Sequence, residues 1–328
     1  MRAAWYESFG AAKDVLQIGE LEQPKTGPGE VLVRVHTSGV NPSDVKKRAG
    51  SIPDLLDGGL VVPNSDGAGV IESVGAGVDA SRVGERVWLY EAQFARRFGT
   101  AAEYLAIDGS RAVKLPGPVS FEVGACLGIP VMTAHRAVFA DGEVAGKRIL
   151  ITGGAGRVAY YAIQWASQAG ASVIATASNR ADEDACIEAG AQCVVNHRSN
   201  DLAGQILAAS DGELVDRVVD VECGANLNTT IEVLKVGGVI ASYGSTQVPE
   251  PRLPFYRMMY KDLTLRTIIV YSMPEPAKQL AIADIDAALR KEALRHRIAE
   301  TMPLADIVRA NELIEQGRVR GAVILDVK

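Results

Sequence analysis

The hydrophobic pattern of the chain changes once, near residue 121. Before that point, apolar and polar residues alternate in short segments rich in β-branched side chains, and glycines separate the segments. The clearest of these segments are Glu30–Val40, Gly67–Val78 and Gly84–Tyr90. Such alternation is typical of half-buried strands, and short glycine turns between strands favour a twisted β-barrel.

From Phe121 onward, short apolar strands alternate with amphipathic helical segments. Residues 121–139 have a helical pattern in which Pro130 predicts a break between two helices. The helical segment Arg157–Gly170 follows an apolar strand and ends at a glycine, and Leu263–Val270 is a later apolar strand. Strand–helix alternation at this spacing predicts βαβ units and a parallel sheet, so the fold class is α/β.

Composition narrows the classes of protein that remain. A chain of 328 residues is long enough for two domains, and its net charge of −6 without a Lys/Arg block argues against nucleic acid as a partner. We find no membrane-spanning apolar run and no signal-peptide pattern, so we expect a soluble, cytoplasmic protein. The four cysteines form no C-x-x-C pair and predict reduced thiols.

A glycine-rich segment opens the first helix of the predicted parallel sheet. It reads G-x-x-G-x-x-A from Gly153 to Ala159 and lies between an apolar strand and a helix. Glycines allow close approach of the backbone to a pyrophosphate, and the N–H groups of a helix N-terminus face the anion. The alternative is a glycine turn that binds nothing. The candidate cofactor-binding residues here are Gly153, Gly154, Ala155, Gly156, Arg157 and Val158.

The end of the next strand bears on which dinucleotide binds. It reads Ser178, Asn179, Arg180, and no carboxylate appears before Asp182. NAD sites use an acidic residue here for the ribose 2′-OH, whereas an Arg accommodates a 2′-phosphate. The segment therefore favours NADPH. The alternative for Arg180 is a solvated residue at a helix start.

Several segments together resemble one family. The chain is similar to medium-chain dehydrogenase/reductases, and within them to the zinc-free quinone oxidoreductases that include zeta-crystallin. The resemblance covers nearly the full length and rests on the segments GVNPSD, NSDGAGVIESVG, GIPVMTAHRAV, ITGGAGRVA and LKVGGVIASYGS. It implies a GroES-like β-barrel catalytic domain of residues 1–121 and 271–328, and a Rossmann NADPH-binding domain of residues 122–270.

The resemblance also bears on metal and on chemistry. Zinc alcohol dehydrogenases carry a Cys and a His where this chain has Asn41 and Ser65, and His36 alone makes no site, so we expect no metal. Without zinc, hydride transfer from NADPH to a quinone or another conjugated carbonyl remains feasible. Asn41 is a candidate catalytic residue that would donate an amide hydrogen bond. The alternative is that Asn41 serves only as a turn residue before Pro42.

One departure from the family concerns the substrate cleft. Relatives of the zeta-crystallin type carry tyrosines where this chain has Lys46 and Ile52. We take Lys46 as a second candidate catalytic residue that would supply a charge or proton, with a solvated surface lysine as the alternative. This departure keeps a 2-alkenal, enone or enoyl-thioester reductase open. A weakly catalytic NADPH-binding structural protein is the alternative from another class.

The remaining site predictions follow from the resemblance. Further cofactor-binding positions are Thr133 near the nicotinamide ribose, His197 near the adenine ribose, Gly244 and Ser245 at the nicotinamide crevice, and Ile269 and Val270 at the carboxamide. In this family the strand around Ile269 pairs across a two-fold axis. We therefore expect a homodimer that acts on a small-molecule quinone or enone.

Overall fold

The computed structural model of the protein describes residues 1–317 and 319–328. In these residues the strands, β1 to β15 in chain order, are Arg2–Trp5, Gln17–Glu20, Glu30–Val40, Asp66–Val74, Arg86–Leu89, Tyr104–Asp108, Ala112–Lys114, Arg148–Ile151, Ser172–Ala177, Cys193–Asn196, Val215–Asp220, Leu234–Ser242, Thr264–Thr267, Ile298–Pro303 and Ala322–Asp326. The α-helices, α1 to α11, are Ala12–Val15, Pro42–Arg48, Phe121–Gly124, Met132–Phe139, Arg157–Gln168, Arg180–Glu188, Leu202–Ala209, Cys223–Val233, Phe255–Met259, Glu275–Arg290 and Ile307–Glu315.

The chain divides into two compact units. The β-rich unit comprises Met1–Ile129 and Ile282–Lys328, and the α/β unit comprises Pro130–Ala281. Both breaks lie further along the chain than the boundaries drawn from the sequence at residues 121 and 270. The first break falls inside the helical turn Leu127–Val131 and the second inside α10, so no change of local pattern marks either one.

The β-rich unit is organised around the long strand β3. This strand pairs antiparallel with β4, β6 and β15, and its residues Val31, Val33 and Val35 are buried in the core of the unit. Strand β3 leads directly into α2, while the β3–β4 register sets Asp66 opposite Gly39. The start of α2 and the start of β4 are therefore neighbours.

The α/β unit holds a six-stranded parallel sheet in the order β10-β9-β8-β11-β12-β13. The chain moves outward from β8 to β10, then returns to β11 on the other side of β8. Reversal of strand order leaves a crevice at the carboxyl ends of the strands. The predicted α/β class with a parallel sheet and a β-rich domain is confirmed.

Two predicted elements differ in detail. Pro130 lies inside a π-helical turn, Leu127–Val131, and α4 follows at once, because a widened turn tolerates the missing N–H of proline. The strand predicted over Leu263–Val270 is shorter, since β13 ends at Thr267 and a single 3₁₀ turn begins at Val270.

Candidate active site

A buried polar cluster lies at the start of α2 and β4 in the β-rich unit. Its members come from separate segments: Asn41, Asp44 and Lys47 from α2 and its N-cap, Asp66 from β4, and Gln93 from the loop after β5. All five side chains are at most 4% exposed. Burial of this much polar surface costs free energy unless each group finds a partner, so the contacts of each group decide its role.

Asn41 is held at both its backbone and its side chain. Its backbone N–H donates to the Asp44 carboxylate at 2.9 Å, and its Nδ2 donates to Asp66 Oδ2 at 2.9 Å. Pro42 supplies the fixed φ of the first helical position, which ends β3 and begins α2 immediately after Asn41. The amide of Asn41 therefore has one defined orientation in the cluster.

Asp66 is the fully buried carboxyl of the cluster. Its two oxygens accept the backbone N–H of Ile129 at 2.9 and 3.0 Å, in addition to the Asn41 bond. Burial is the main cause that raises the pKa of Asp66 to about 8, and Asp44 adds to the rise. The hydrogen bonds and the Lys47 charge oppose it. Asp66 thus keeps its proton over much of the neutral range.

Lys47 is the buried cation of the cluster. Its Nζ donates to Gln93 O at 2.8 Å, to Gln93 Oε1 at 2.9 Å and to Ser65 Oγ at 3.2 Å. Burial lowers the pKa of Lys47, while the charges of Asp44, Asp66 and Glu91 oppose that change. The adjacent Lys46, our candidate from the sequence, is exposed.

The sequence held a usable signal for Lys47. Asp44 and Lys47 are three residues apart on α2, a spacing that brings side chains to one helix face. Asn41 is the N-cap of that helix, so the sequence could have predicted that Asp44 and Lys47 share one face of α2. Asp66 and Gln93 carry no comparable local signal, because only the tertiary fold brings them to α2.

The glycine-rich segment of the α/β unit forms the turn between β8 and α5. Gly153 adopts a left-handed φ of +61° and donates its N–H to Thr176 Oγ1 at 2.9 Å. A Cβ on Gly154 would lie 2.6 Å from Cys186 Sγ, so only glycine fits there. Gly156 is the N-cap of α5, whose first N–H groups have no intrahelical acceptor. Gly154 and Gly156 donate their own N–H groups to Thr176 O at 2.9 Å and to Gly153 O at 2.8 Å. An anion at this turn would therefore face the first turn of α5.

The end of β9 places the three predicted phosphate-recognition residues at the start of α6. Asn179 accepts the Asp182 N–H at 3.0 Å and so caps the helix. Arg180 has a side chain 78% exposed and pairs with Asp184 at 2.9 Å and Glu183 at 3.5 Å. Ser178 is half-buried beside them. The guanidinium is available at the surface, where its present partners are weak and screened.

A cavity of about 350 Å³ opens at the carboxyl ends of the parallel strands. Gly153 and His197, both predicted from the sequence, line it, as do Thr176 and Glu222. The Glu222 carboxylate accepts the N–H groups of Thr246 and Gln247 at 2.9 Å each, which ties the loop after β12 to the cavity wall. Sequence reasoning missed Glu222.

The other predicted residues of this unit lie at different strand and helix ends. Gly244 follows β12, and a Cβ there would lie 2.4 Å from Val221 O. Ser245 Oγ accepts the Gly224 N–H at 2.9 Å. Thr133 is buried in the first turn of α4. Beyond β13, Ile269 is 56% exposed, whereas Val270 is buried.

Comparison with known proteins decides the family. Residues 27–117 match the family model described as alcohol dehydrogenase GroES-like domain, and residues 158–286 match the one described as zinc-binding dehydrogenase. The quinone oxidoreductase of Pongo abelii is 30% identical over 323 residues, covering 97% of this chain and 94% of the relative. The chain belongs to the quinone oxidoreductases of the medium-chain dehydrogenase/reductase family. It is an oxidoreductase.

Solved structures agree with this assignment. A mycobacterial protein complexed with NADPH superposes with a TM-score of 0.88 at 28% identity, covering 99% of both chains. A quinone oxidoreductase of Pseudomonas syringae pv. Tomato DC3000 superposes with a TM-score of 0.86 at 25% identity, covering 99% of both chains. Both units of this chain therefore have the fold of this family.

The family model named for zinc raises the question whether the present residues suit that metal. Among the described residues, no group of three or more His, Cys, Asp or Glu side chains is placed to hold an ion. Ser65, at the position where zinc alcohol dehydrogenases carry a His ligand, instead accepts a hydrogen bond from the Lys47 ammonium. His36 stacks on Phe121 with ring centroids 4.3 Å apart. An ammonium among amide and hydroxyl groups does not suit Zn²⁺.

No helix in the described part of the chain is long and apolar enough to cross a membrane.

Proposed function

We propose that this oxidoreductase is an NADPH-dependent, zinc-independent reductase of quinones or related conjugated carbonyls. The observation that carries the proposal is the buried cluster of the β-rich unit, where an amide, a carboxyl and an ammonium lie in place of metal ligands. Groups of this kind polarise an acceptor that is already electron-poor, but they do not replace the Lewis acidity that simple alcohols need.

The α/β unit has features that suit NADPH. The N–H groups in the first turn of α5 would face the pyrophosphate, and the missing side chain of Gly156 would leave room for it. Arg180 with Ser178 would hold the 2′-phosphate. A relative with 99% coverage was solved with NADPH. When bound, NADPH supplies a hydride to the acceptor.

Asn41 is the residue that we assign to the acceptor. The side-chain nitrogen of Asn41 carries two protons, and one of them is donated to Asp66. The second proton would donate to the acceptor oxygen, where negative charge develops during hydride transfer. The role of Lys46 as a proton source stays a prediction. Its side chain is exposed, and it precedes Lys47 of the cluster.

One observation favours a second candidate, a double-bond reductase acting on an enone, a 2-alkenal or an enoyl thioester. Lys46 is exposed and Ile52 is 37% exposed, at the positions where the quinone-reducing relatives carry tyrosines. Without two phenol rings the chain lacks that surface for stacking a quinone. Conjugate addition of hydride to an enone needs no such stacking.

We also propose that the protein is a homodimer. Strand β13 is the end strand of the parallel sheet, and an unpaired strand edge favours association. Large exposed apolar side chains lie on β13 and the segments around it: Leu253, Phe255, Tyr256, Tyr260, Leu265 and Ile269. Light scattering should give twice the monomer mass, and the monomer mass at micromolar concentration would contradict the proposal.

The assay of the activity is NADPH oxidation with a panel of acceptors: 1,4-benzoquinone, 9,10-phenanthrenequinone and a small enone. Turnover of the quinones supports the leading proposal. Turnover of the enone alone supports the double-bond reductase. Tight NADPH binding without turnover of any acceptor would overturn both and leave a weakly catalytic binding protein.

A further inference from the structure

Lys47 has an unusual environment for a lysine. Its side chain is 4% exposed, and its ammonium donates to three neutral oxygens on Ser65 and Gln93. The neighbouring Arg48 is equally buried, but it pairs with Glu315 of α11 and so joins two helices. Burying an ammonium is unfavourable in the absence of compensation. The bonds of Lys47 tie α2 to the residue before β4 and to the loop after β5.

Three carboxyl groups lie close enough to Lys47 to act on its charge. Asp44 lies on the same helix, Asp66 at the start of β4 and Glu91 after β5, and all three favour the charged ammonium. Glu91 is shared with Arg111, whose Nη2 lies 3.9 Å from its carboxylate. These carboxyl groups therefore favour the charged form of the buried Lys47.

A short path joins this charge to Asn41. The charge of Lys47 lowers the pKa of Asp66, and Asp66 Oδ2 accepts the Asn41 amide N–H at 2.9 Å. Ser65 precedes Asp66 in the chain and accepts directly from Lys47 Nζ. Lys47 thus contacts Ser65, and the next residue in the chain, Asp66, holds the Asn41 amide.

We propose that Lys47 is a positioning residue of the reductase. Its buried ammonium would stabilise negative charge on the acceptor oxygen to which Asn41 donates a hydrogen bond. This inference rests on the proposed function. In the reaction, the hydride supplied by bound NADPH would add to the acceptor and the electron pair of the conjugated carbonyl would move to oxygen. The oxyanion would then take a proton from Lys46, the predicted proton source, or from water. A buried positive charge stabilises that oxyanion strongly, because the local dielectric constant is low.

The variants separate charge from shape. Lys47→Met removes the charge and keeps most of the volume, whereas Lys47→Arg keeps the charge. Lys46→Met tests the adjacent exposed lysine, and Lys13→Met on the exposed face of α1 is the control. We expect Lys47→Met to lower kcat with 1,4-benzoquinone about a hundredfold. Lys47→Arg should recover at least part of it, with NADPH affinity unchanged in both.

A spectroscopic titration gives a readout that a purely structural role would not move. 4-Nitrophenol resembles the phenolate formed from a quinone, and its phenol and phenolate forms absorb at different wavelengths. Bound to the wild-type protein with NADP present, its pKa should be lower than in free solution, and Lys47→Met should remove that shift. This titration needs no turnover, so it tests Lys47 even if the quinone assay fails.

The outcomes are distinct. Wild-type protein that turns over no acceptor contradicts the proposed function, while a lowered nitrophenol pKa that depends on Lys47 still supports the cation. An unchanged kcat in Lys47→Met overturns the inference, as does a larger loss in Lys46→Met. If Lys47→Met does not fold, the wild-type titration alone decides, since an unshifted or raised nitrophenol pKa contradicts a resident cation.

Discussion

The cofactor loop and the buried cluster are built in opposite ways. The loop between β8 and α5 is one contiguous segment, and its missing side chains and the helix start that follows them would provide the geometry for the proposed binding of NADPH. The cluster around Asn41 consists of side chains from α2, β4 and the loop after β5, held by hydrogen bonds across the fold. A backbone site tolerates exchange of its side chains but not of its glycines. A side-chain site depends on each partner.

The sharpest test of the backbone site is Gly156→Val. Added side-chain atoms at the N-cap of α5 would occupy the space that a pyrophosphate needs, and the new Cβ would lie 3.0 Å from Gly153 O. We expect NADPH affinity to fall roughly a hundredfold or more, which corresponds to about 2.7 kcal/mol. Fluorescence titration measures it. Gly117→Val, where a Cβ meets nothing within 4 Å, is the control. Retained binding in Gly156→Val would refute the loop assignment.

The matching test of the side-chain site is Asp66→Ala. It leaves the Asn41 amide and the Ile129 N–H buried without their acceptor, at a cost of about 1–3 kcal/mol in the free energy of unfolding. Urea unfolding measures the loss, and Asp57→Ala at an exposed turn should change stability little. Equal stability of Asp66→Ala and the wild type would mean that the cluster does not hold the fold of this region.

The titration of Asp66 predicts a pH dependence of stability. Its pKa in the folded protein is about 8, against about 4 in an unfolded chain, so the unfolded state releases this proton first as pH rises. The contribution of Asp66 is fully present below about pH 4 and is lost as pH rises through about 8. Between pH 5 and 8 the melting temperature should fall more steeply in the wild type than in Asp66→Asn. Parallel curves for the two proteins would contradict the raised pKa.

A smaller effect is expected for Arg180→Ala. The side chain is exposed, so its bond to a 2′-phosphate is partly screened, and we expect about a tenfold loss of NADPH affinity, or about 1.4 kcal/mol. NADH affinity should stay the same. Arg290→Ala removes a similar exposed pair, with Asp286, and is the matched control. Equal losses with NADPH and NADH would rule out a role of Arg180 at the 2′-phosphate.

The same contrast explains what the sequence could predict. The alternation around Glu30–Val40 and the strand–glycine–helix order around Gly153 are local signals, and the structure has β3 and the β8–α5 turn there. The cluster is not local. Asp66 and Gln93 come to Asn41 only through the β3–β4 pairing and the loop after β5, and the choice between Lys46 and Lys47 depends on which way α2 faces.

The central claim is that this chain reduces its acceptor with a side-chain cluster and without a metal. The most direct measurement is metal content, by mass spectrometry, on the same sample whose NADPH-dependent quinone turnover is recorded with and without a chelator. We predict far less than one zinc per chain and the same turnover in both conditions. One zinc per chain, with turnover lost to the chelator and restored by zinc, would contradict the account.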